Sequence, residues 1–199
     1  MNYLAHLYLS GNSDELMVGN FIGDHVKGAQ YLHYAPGVQR GVILHRAIDS
    51  FTDTHPTVKE ALAYFRPAYG RWSGIVTDVM FDHFLARNWP AYSPYTLRQF
   101  AKHAHAVLLS NFFQLPLRVK GFLPFFIQHK RLESYARPDG IEESLRIMAH
   151  RTSLPDESKL AMTILANNLA VLNELFQRFF AELTLHVETN FGVQIEKPL

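Results

Sequence analysis

The chain of 199 residues contains no cysteine, which excludes disulfides, a thiolate metal site and a cysteine nucleophile. A reducing, cytoplasmic setting is the expectation that follows. Also missing is any uninterrupted apolar run of the ~18–20 residues needed to span a bilayer. Uncharged stretches such as 103–117 and 160–173 are too short and carry polar side chains. The N-terminus lacks the basic region and apolar core of a signal peptide. No repeat, low-complexity tract or linker divides the sequence, so 1–199 reads as one domain. At 48% hydrophobic residues, it can bury a sizeable core.

Acid is absent locally as well. Residues 84–132 hold seven basic side chains, Arg87, Arg98, Lys102, Arg118, Lys120, Lys130 and Arg131, and no Asp or Glu. The net charge of +1 points to neither nucleic acid nor membrane. A stretch of one sign does attract an acidic partner where the fold gathers it on one face, so these seven are the candidate partner-binding residues. Nothing in the sequence fixes an oligomeric state.

Strand signals are scarce and helical periodicity is nearly continuous. Ser13 caps a helix expected over 14–27, with Gly28 as its stop, and Pro36 opens the helix carrying His45. Pro56 opens a third helix, 75–89 forms a fourth, and Pro94 starts a fifth. The span 111–137 is apolar but broken by Pro116, Gly121 and Pro124; a short helix follows near 140–151, and 156–189 reads as one long helix. The class is all-α.

Two segments set acids and histidines one helical turn apart: His45-Arg46-Ala47-Ile48-Asp49, continuing to Asp53, and Asp78-Val79-Met80-Phe81-Asp82-His83. Residues four apart share a helix face, and like charges there repel. Apolar neighbours at Val38, Val42, Ile75 and Leu85 turn these carboxylates towards the interior, where unpartnered acids are costly. His6 and Asp24 lie in similar oily surroundings. A divalent cation shared by His6, Asp24, His45, Asp49, Asp78 and Asp82 resolves the conflict. Oxygen and imidazole donors without sulfur suit Mg, Mn or Fe, with Zn possible, and point to metal-assisted hydrolysis. Arg46 is a candidate for gripping a phosphate, in competition with a salt bridge to a nearby aspartate. His83, about 100° round the helix from Asp82, is a supporting or general-acid candidate.

Four ordered blocks carry a resemblance: Met1-Asn2-Tyr3-Leu4-Ala5-His6-Leu7, Gly19-Asn20-Phe21-Ile22-Gly23-Asp24, His45-Arg46-Ala47-Ile48-Asp49 with Thr52-Asp53, and Asp78-Val79-Met80-Phe81-Asp82-His83-Phe84-Leu85. Together they resemble the acyl carrier protein phosphodiesterases, an atypical branch of the HD-domain metal-dependent phosphohydrolases. That resemblance implies an HD-domain-like helical bundle. It also implies hydrolysis of the phosphodiester joining 4′-phosphopantetheine to a serine of holo acyl carrier protein, with Mn or Mg required. Metal positions then fall among His6, Asp24, His45, Asp49, Asp78 and Asp82; in such a reaction Arg46 is the candidate to stabilise the phosphate and His6 or His83 to protonate the leaving group. No His-Asp dipeptide, the usual HD signature, occurs in the chain. Two alternatives remain at this point: hydrolysis of a nucleotide or other small phosphoester, and a non-catalytic helical adaptor for an acidic protein. The apolar run Gly121-Phe122-Leu123-Pro124-Phe125-Phe126 offers a groove for a pantetheine arm or, equally simply, core packing.

Overall fold

Prolines and polar caps start the helices. In the computed structural model, which describes residues 1–198, Asn2 caps α1 (Tyr3–Tyr8), and the Ser13 hydroxyl accepts from the Leu16 N–H to start α2 (Asp14–Ile22). α3 (Pro36–Thr54) and α4 (Pro56–Tyr69) each begin on proline, where the missing N–H leaves no bond unmade. α5 (Ser73–Arg87) follows, and α6 (Leu97–Ser110) starts from a capping box between Thr96 and Gln99. The rest of the chain forms α7 (Leu117–Gln128), α8 (Arg131–Ser134), α9 (Pro138–Arg151), α10 (Ser158–Asn167) and α11 (Leu169–Phe191). No strand occurs among the described residues, so the all-α expectation holds.

Several boundaries depart from the sequence reading, among them the start of α6, which Thr96 caps and Pro94 does not open. α2 stops at Ile22 and tightens into a 3-10 turn, Gly23–His25, because the His45 ring lies where a longer helix would pack. A helix forms at Leu117–Gln128 despite Gly121 and Pro124, since Val119, Leu123 and Phe126 make a buried stripe that outweighs poor propensity. The expected long C-terminal helix is two, parted at Asn168: α10 leans on α9 and α4, whereas α11 packs on α4, α3 and α5.

α5 runs through the centre, with Val76, Val79, Met80, Phe84 and Leu85 wholly or almost wholly buried. Its fully buried Asp82 receives the start of α1: one carboxylate oxygen accepts from Leu4 N–H at 2.7 Å, the other from the N–H groups of Ala5 at 3.2 Å and Asn2 at 3.3 Å. These are donors that a helix leaves open at its first turn. Burial pushes the Asp82 carboxyl up to about 7, while the backbone donors and the Met1 amino group pull the other way. One turn earlier, Asp78 meets the Met1 amino nitrogen at 3.0 Å.

α2 and α3 cross with their backbones nearly touching. A Cβ on Gly19 would lie 2.1 Å from the Val38 carbonyl oxygen, and one on Gly41 would lie 2.5 Å from that of Leu16. Only glycine permits this approach at either position.

Replacing Asp82 with alanine strands the three N–H groups inside the core. We expect a loss of about 3 kcal/mol, lowering the melting temperature by about 6–12 °C, read by thermal circular dichroism.

Candidate metal centre

The Gly19–Gly41 crossing places Asn20 between two imidazoles. Its carboxamide nitrogen donates to the His6 carbonyl at 2.6 Å and to the Ser10 hydroxyl at 3.1 Å, so its Oδ1 is left to accept from His6 Nδ1 at 2.7 Å. The Asn20 backbone carbonyl accepts from His45 Nδ1 at 2.8 Å. Both rings therefore carry a proton on Nδ1 and present Nε2 to the same side. They stack at 4.1 Å between centroids, 21° from parallel. Gly23 makes the space for this, since a Cβ there would lie 2.2 Å from His45 Cγ.

Asp49, one turn beyond His45, completes the group. One carboxylate oxygen lies 3.2 Å from His6 Nε2 and the other 3.1 Å from His45 Nε2; the ligand atoms of His6, His45 and Asp49 all fall within 4.8 Å of one another. Asp24 approaches His45 Nε2 at 3.4 Å from the solvent side. The histidines are buried, whereas the side chains of Asp49 and Asp24 are 39% and 65% exposed. The acids line an open rim instead of pointing into the core as the periodicity suggested.

The charges explain why a cation fits. Burial lowers the His6 imidazolium more than Asp49 supports it, so His6 is neutral and its Nε2 lone pair faces a carboxylate oxygen. Burial would lower His45 too, but hydrogen bonds and charge from Asp24 and Asp49 outweigh it and raise that imidazolium to about 9. Burial likewise opposes ionisation of Asp49, yet His45 and His6 hold it well below the usual carboxylate range. His45 also holds Asp24 below its ordinary value. Two lone pairs facing each other, with both imidazoles locked for coordination, form a donor set that a divalent cation satisfies.

The remaining candidates sit elsewhere. Asp82 and Asp78 do not join the group, because their oxygens already serve the start of α1 and the Met1 amino nitrogen. Arg46 donates to the carbonyls of Val26 at 2.9 Å and Gly28 at 2.8 Å and lies over the Tyr31 ring, which ties down the loop after Asp24. His83 is buried on α5, with its Nδ1 donating to the Tyr135 carbonyl at 2.7 Å, and it does not border the group. Arg131 is buried and paired with Glu143 at 2.8 Å, so it is not an exposed surface cation, and it lines one cavity with Arg118 and Arg151. The exposed cations Arg87, Arg98, Lys102, Arg118 and Lys130 are spread over α5, α6, α7 and the turn after α7, and Lys120 Nζ donates to the Phe113 carbonyl. Sequence reasoning missed Asn20, whose amide has no signature apart from its place between two glycines. It also missed His25, which follows Asp24 and has a buried Nε2 with no partner.

A family model described as acyl carrier protein phosphodiesterase matches residues 1–183. A protein of Yersinia pestis named acyl carrier protein phosphodiesterase is 37% identical over 183 residues, covering 90% of this chain and 94% of that one. A protein of the same name from Salmonella agona (strain SL483) is 36% identical over 184 residues, covering 92% of this chain and 95% of its own length. No solved structure matches the chain.

Two outcomes follow from this geometry. Asn20→Ala frees both the His6 ring and the turn beside it, and should weaken metal binding about 10–100-fold by calorimetric titration. In the metal-free protein the raised His45 imidazolium, at about 9, stabilises the fold fully below the ordinary histidine value near 6.5. That contribution disappears as pH rises through about 9. Urea unfolding in chelator should therefore show stability falling between pH 6.5 and 9, with a shallower fall in His45→Gln.

Proposed function

The chain belongs to the acyl carrier protein phosphodiesterase family, and we propose that it hydrolyses the phosphodiester between 4′-phosphopantetheine and the serine of holo acyl carrier protein, releasing the apo protein. The observation that carries this reading is the convergence of His6, His45 and Asp49 on one open point, inside the part of the chain that the family match covers. We assign these three as the holders of a divalent cation, Mn or Mg by the absence of sulfur donors, with Asp24 at the rim. When bound, the cation supplies Lewis acidity to the phosphoryl group and brings the pKa of water towards ~7.

The chain's own residues do the positioning. Asn20 holds both imidazoles in the coordinating tautomer, and Gly23 lets the His45 ring lie flat against the turn that carries Asp24. His6 thus takes a ligand position in place of the general-acid role. Arg118 replaces Arg46 as the cation for the substrate's phosphate: it is exposed, and its charge is felt by both Tyr3 and His25 beside the group. The acidic carrier protein as substrate is supported by the name of the family and of its members, not by the basic residues, which are spread over several elements. The HD-like character of the bundle rests on a histidine and an aspartate set one turn apart, not side by side, and we place the reaction in the cytoplasm. Among the described residues, no helix is long and apolar enough to cross a membrane.

Incubation of the protein with holo acyl carrier protein and Mn, followed by mass spectrometry, should show loss of the whole prosthetic group. His6→Ala and Asp49→Ala should each lower that rate more than about 100-fold while keeping the fold, a greater loss than a merely supporting residue causes. An unmodified carrier after prolonged incubation would overturn the assignment.

A further inference from the structure

α7 contains a glycine with no packing reason to be one. Glycine inside a helix is less stable than alanine by roughly 0.5–1 kcal/mol, so it normally marks a left-handed turn or a close neighbour. The glycines at 19, 23, 41 and 140 each have such a neighbour, with backbone or ring atoms within 3 Å of a built Cβ. Gly121 has neither: it lies mid-helix, is absent from the positive-φ positions, and a Cβ there meets no heavy atom within 4 Å.

What it faces is a cavity of about 320 Å³ whose walls include Tyr3, His25, Phe122, Phe125 and Met148. Its walls share two elements with the metal centre. Tyr3 stands one turn before His6 on α1, and its ring packs against Phe122 at 5.8 Å and Phe126 at 5.3 Å. His25, next to Asp24, has its ring 5.8 Å from that of Phe122. Arg118 also lines the cavity, and at its other side the Arg151 guanidinium lies over Phe125 at 5.7 Å. The lining is mainly aromatic and aliphatic, with the cations Arg118, Arg131 and Arg151 among it, the make-up of a site for a small molecule that carries an anionic end.

We propose that this cavity receives the pantetheine arm of the substrate, and that the bare backbone at Gly121 provides its clearance. The proposal rests on the reaction proposed above and deepens it. The arm is uncharged, with two amides and a geminal dimethyl group, which matches aromatic walls edged by Arg151 and Thr152 better than it matches the acidic rim. With the arm in the groove, the phosphate at its end reaches Arg118 and the open side of the His6, His45 and Asp49 group. The apolar run in α7 therefore serves two faces: Val119 and Leu123 are buried in the core, Gly121, Phe122 and Phe125 line the groove, and Phe126, though buried, borders both.

The test uses pantetheine, which lacks the phosphate, and saturation-transfer NMR with the metal-loaded protein. The wild type should show contact at the geminal methyl groups. Gly121→Trp should lower that contact at least fivefold and slow release of the prosthetic group from holo acyl carrier protein at least tenfold. Gly121→Ala should raise the melting temperature by about 2–4 °C, because the helix gains and nothing is displaced. No contact with pantetheine in the wild type would overturn the proposal, as would a folded Gly121→Trp that releases the group at the normal rate, or a Gly121→Ala that melts lower. If Gly121→Trp fails to fold, Gly121→Leu takes its place. Pantetheine contact that depends on position 121, in a protein that leaves holo acyl carrier protein intact, would support the groove and sink the reaction instead.

Discussion

The backbone-to-backbone crossing of α2 and α3 is the constraint on which the site depends. Gly19 and Gly41 let the two helices approach until Val38 and Leu16 carbonyl oxygens occupy the space of a side chain. At that separation, and no wider, the Asn20 carbonyl reaches the ring of His45 on the opposite helix. The same asparagine turns its amide towards α1 and fixes His6. One close contact between helices thus orients two imidazoles that stand 39 positions apart in the chain. Their convergence owes little to side-chain rotamer choice and much to a rigid backbone.

The protein answers the problem of desolvated acids in two different ways. Asp82 is wholly buried and is satisfied by backbone donors at the start of α1, an arrangement that needs no ion. Asp49 is half open and faces two ring nitrogens, an arrangement that the neutral His6 ring leaves incomplete. The first solution is structural and stiffens the element that carries His6. The second leaves room for chemistry. Their nearness ties the two together, since α1 is anchored by one carboxylate and presents its histidine to the other.

Much of this was legible in the residues. The all-α class, the proline-led helices and the pairing of His45 with Asp49 across one turn follow directly from periodicity and spacing. The paired aspartates at 78 and 82 show the limit of that reading. A ladder of acids on an apolar face has the same pattern whether its partner is a cation, an amino group or a helix terminus, and only the position of α1 decides between them. Arg46 and Arg131 show a related limit: a cation's partner lies far from it in sequence, here a loop carbonyl and Glu143. Asn20 gave no local signal, because its function is to sit where three elements meet. The helix at α7 was obscured by Gly121 and Pro124, whose low propensity is overcome by a buried stripe that becomes visible only in three dimensions.

The division of labour along the chain carries an evolutionary consequence. The His6, His45 and Asp49 group comes from α1 and α3, with Asp24 from the turn after α2, all within the first 49 residues, whereas α7 and α9 contribute cavity walls together with Arg118 and Arg151. Drift in the later half can therefore reshape the cavity without touching the two histidines and the aspartate. A single change on the cavity face of α7 therefore alters the walls while the convergence of His6, His45 and Asp49 is kept.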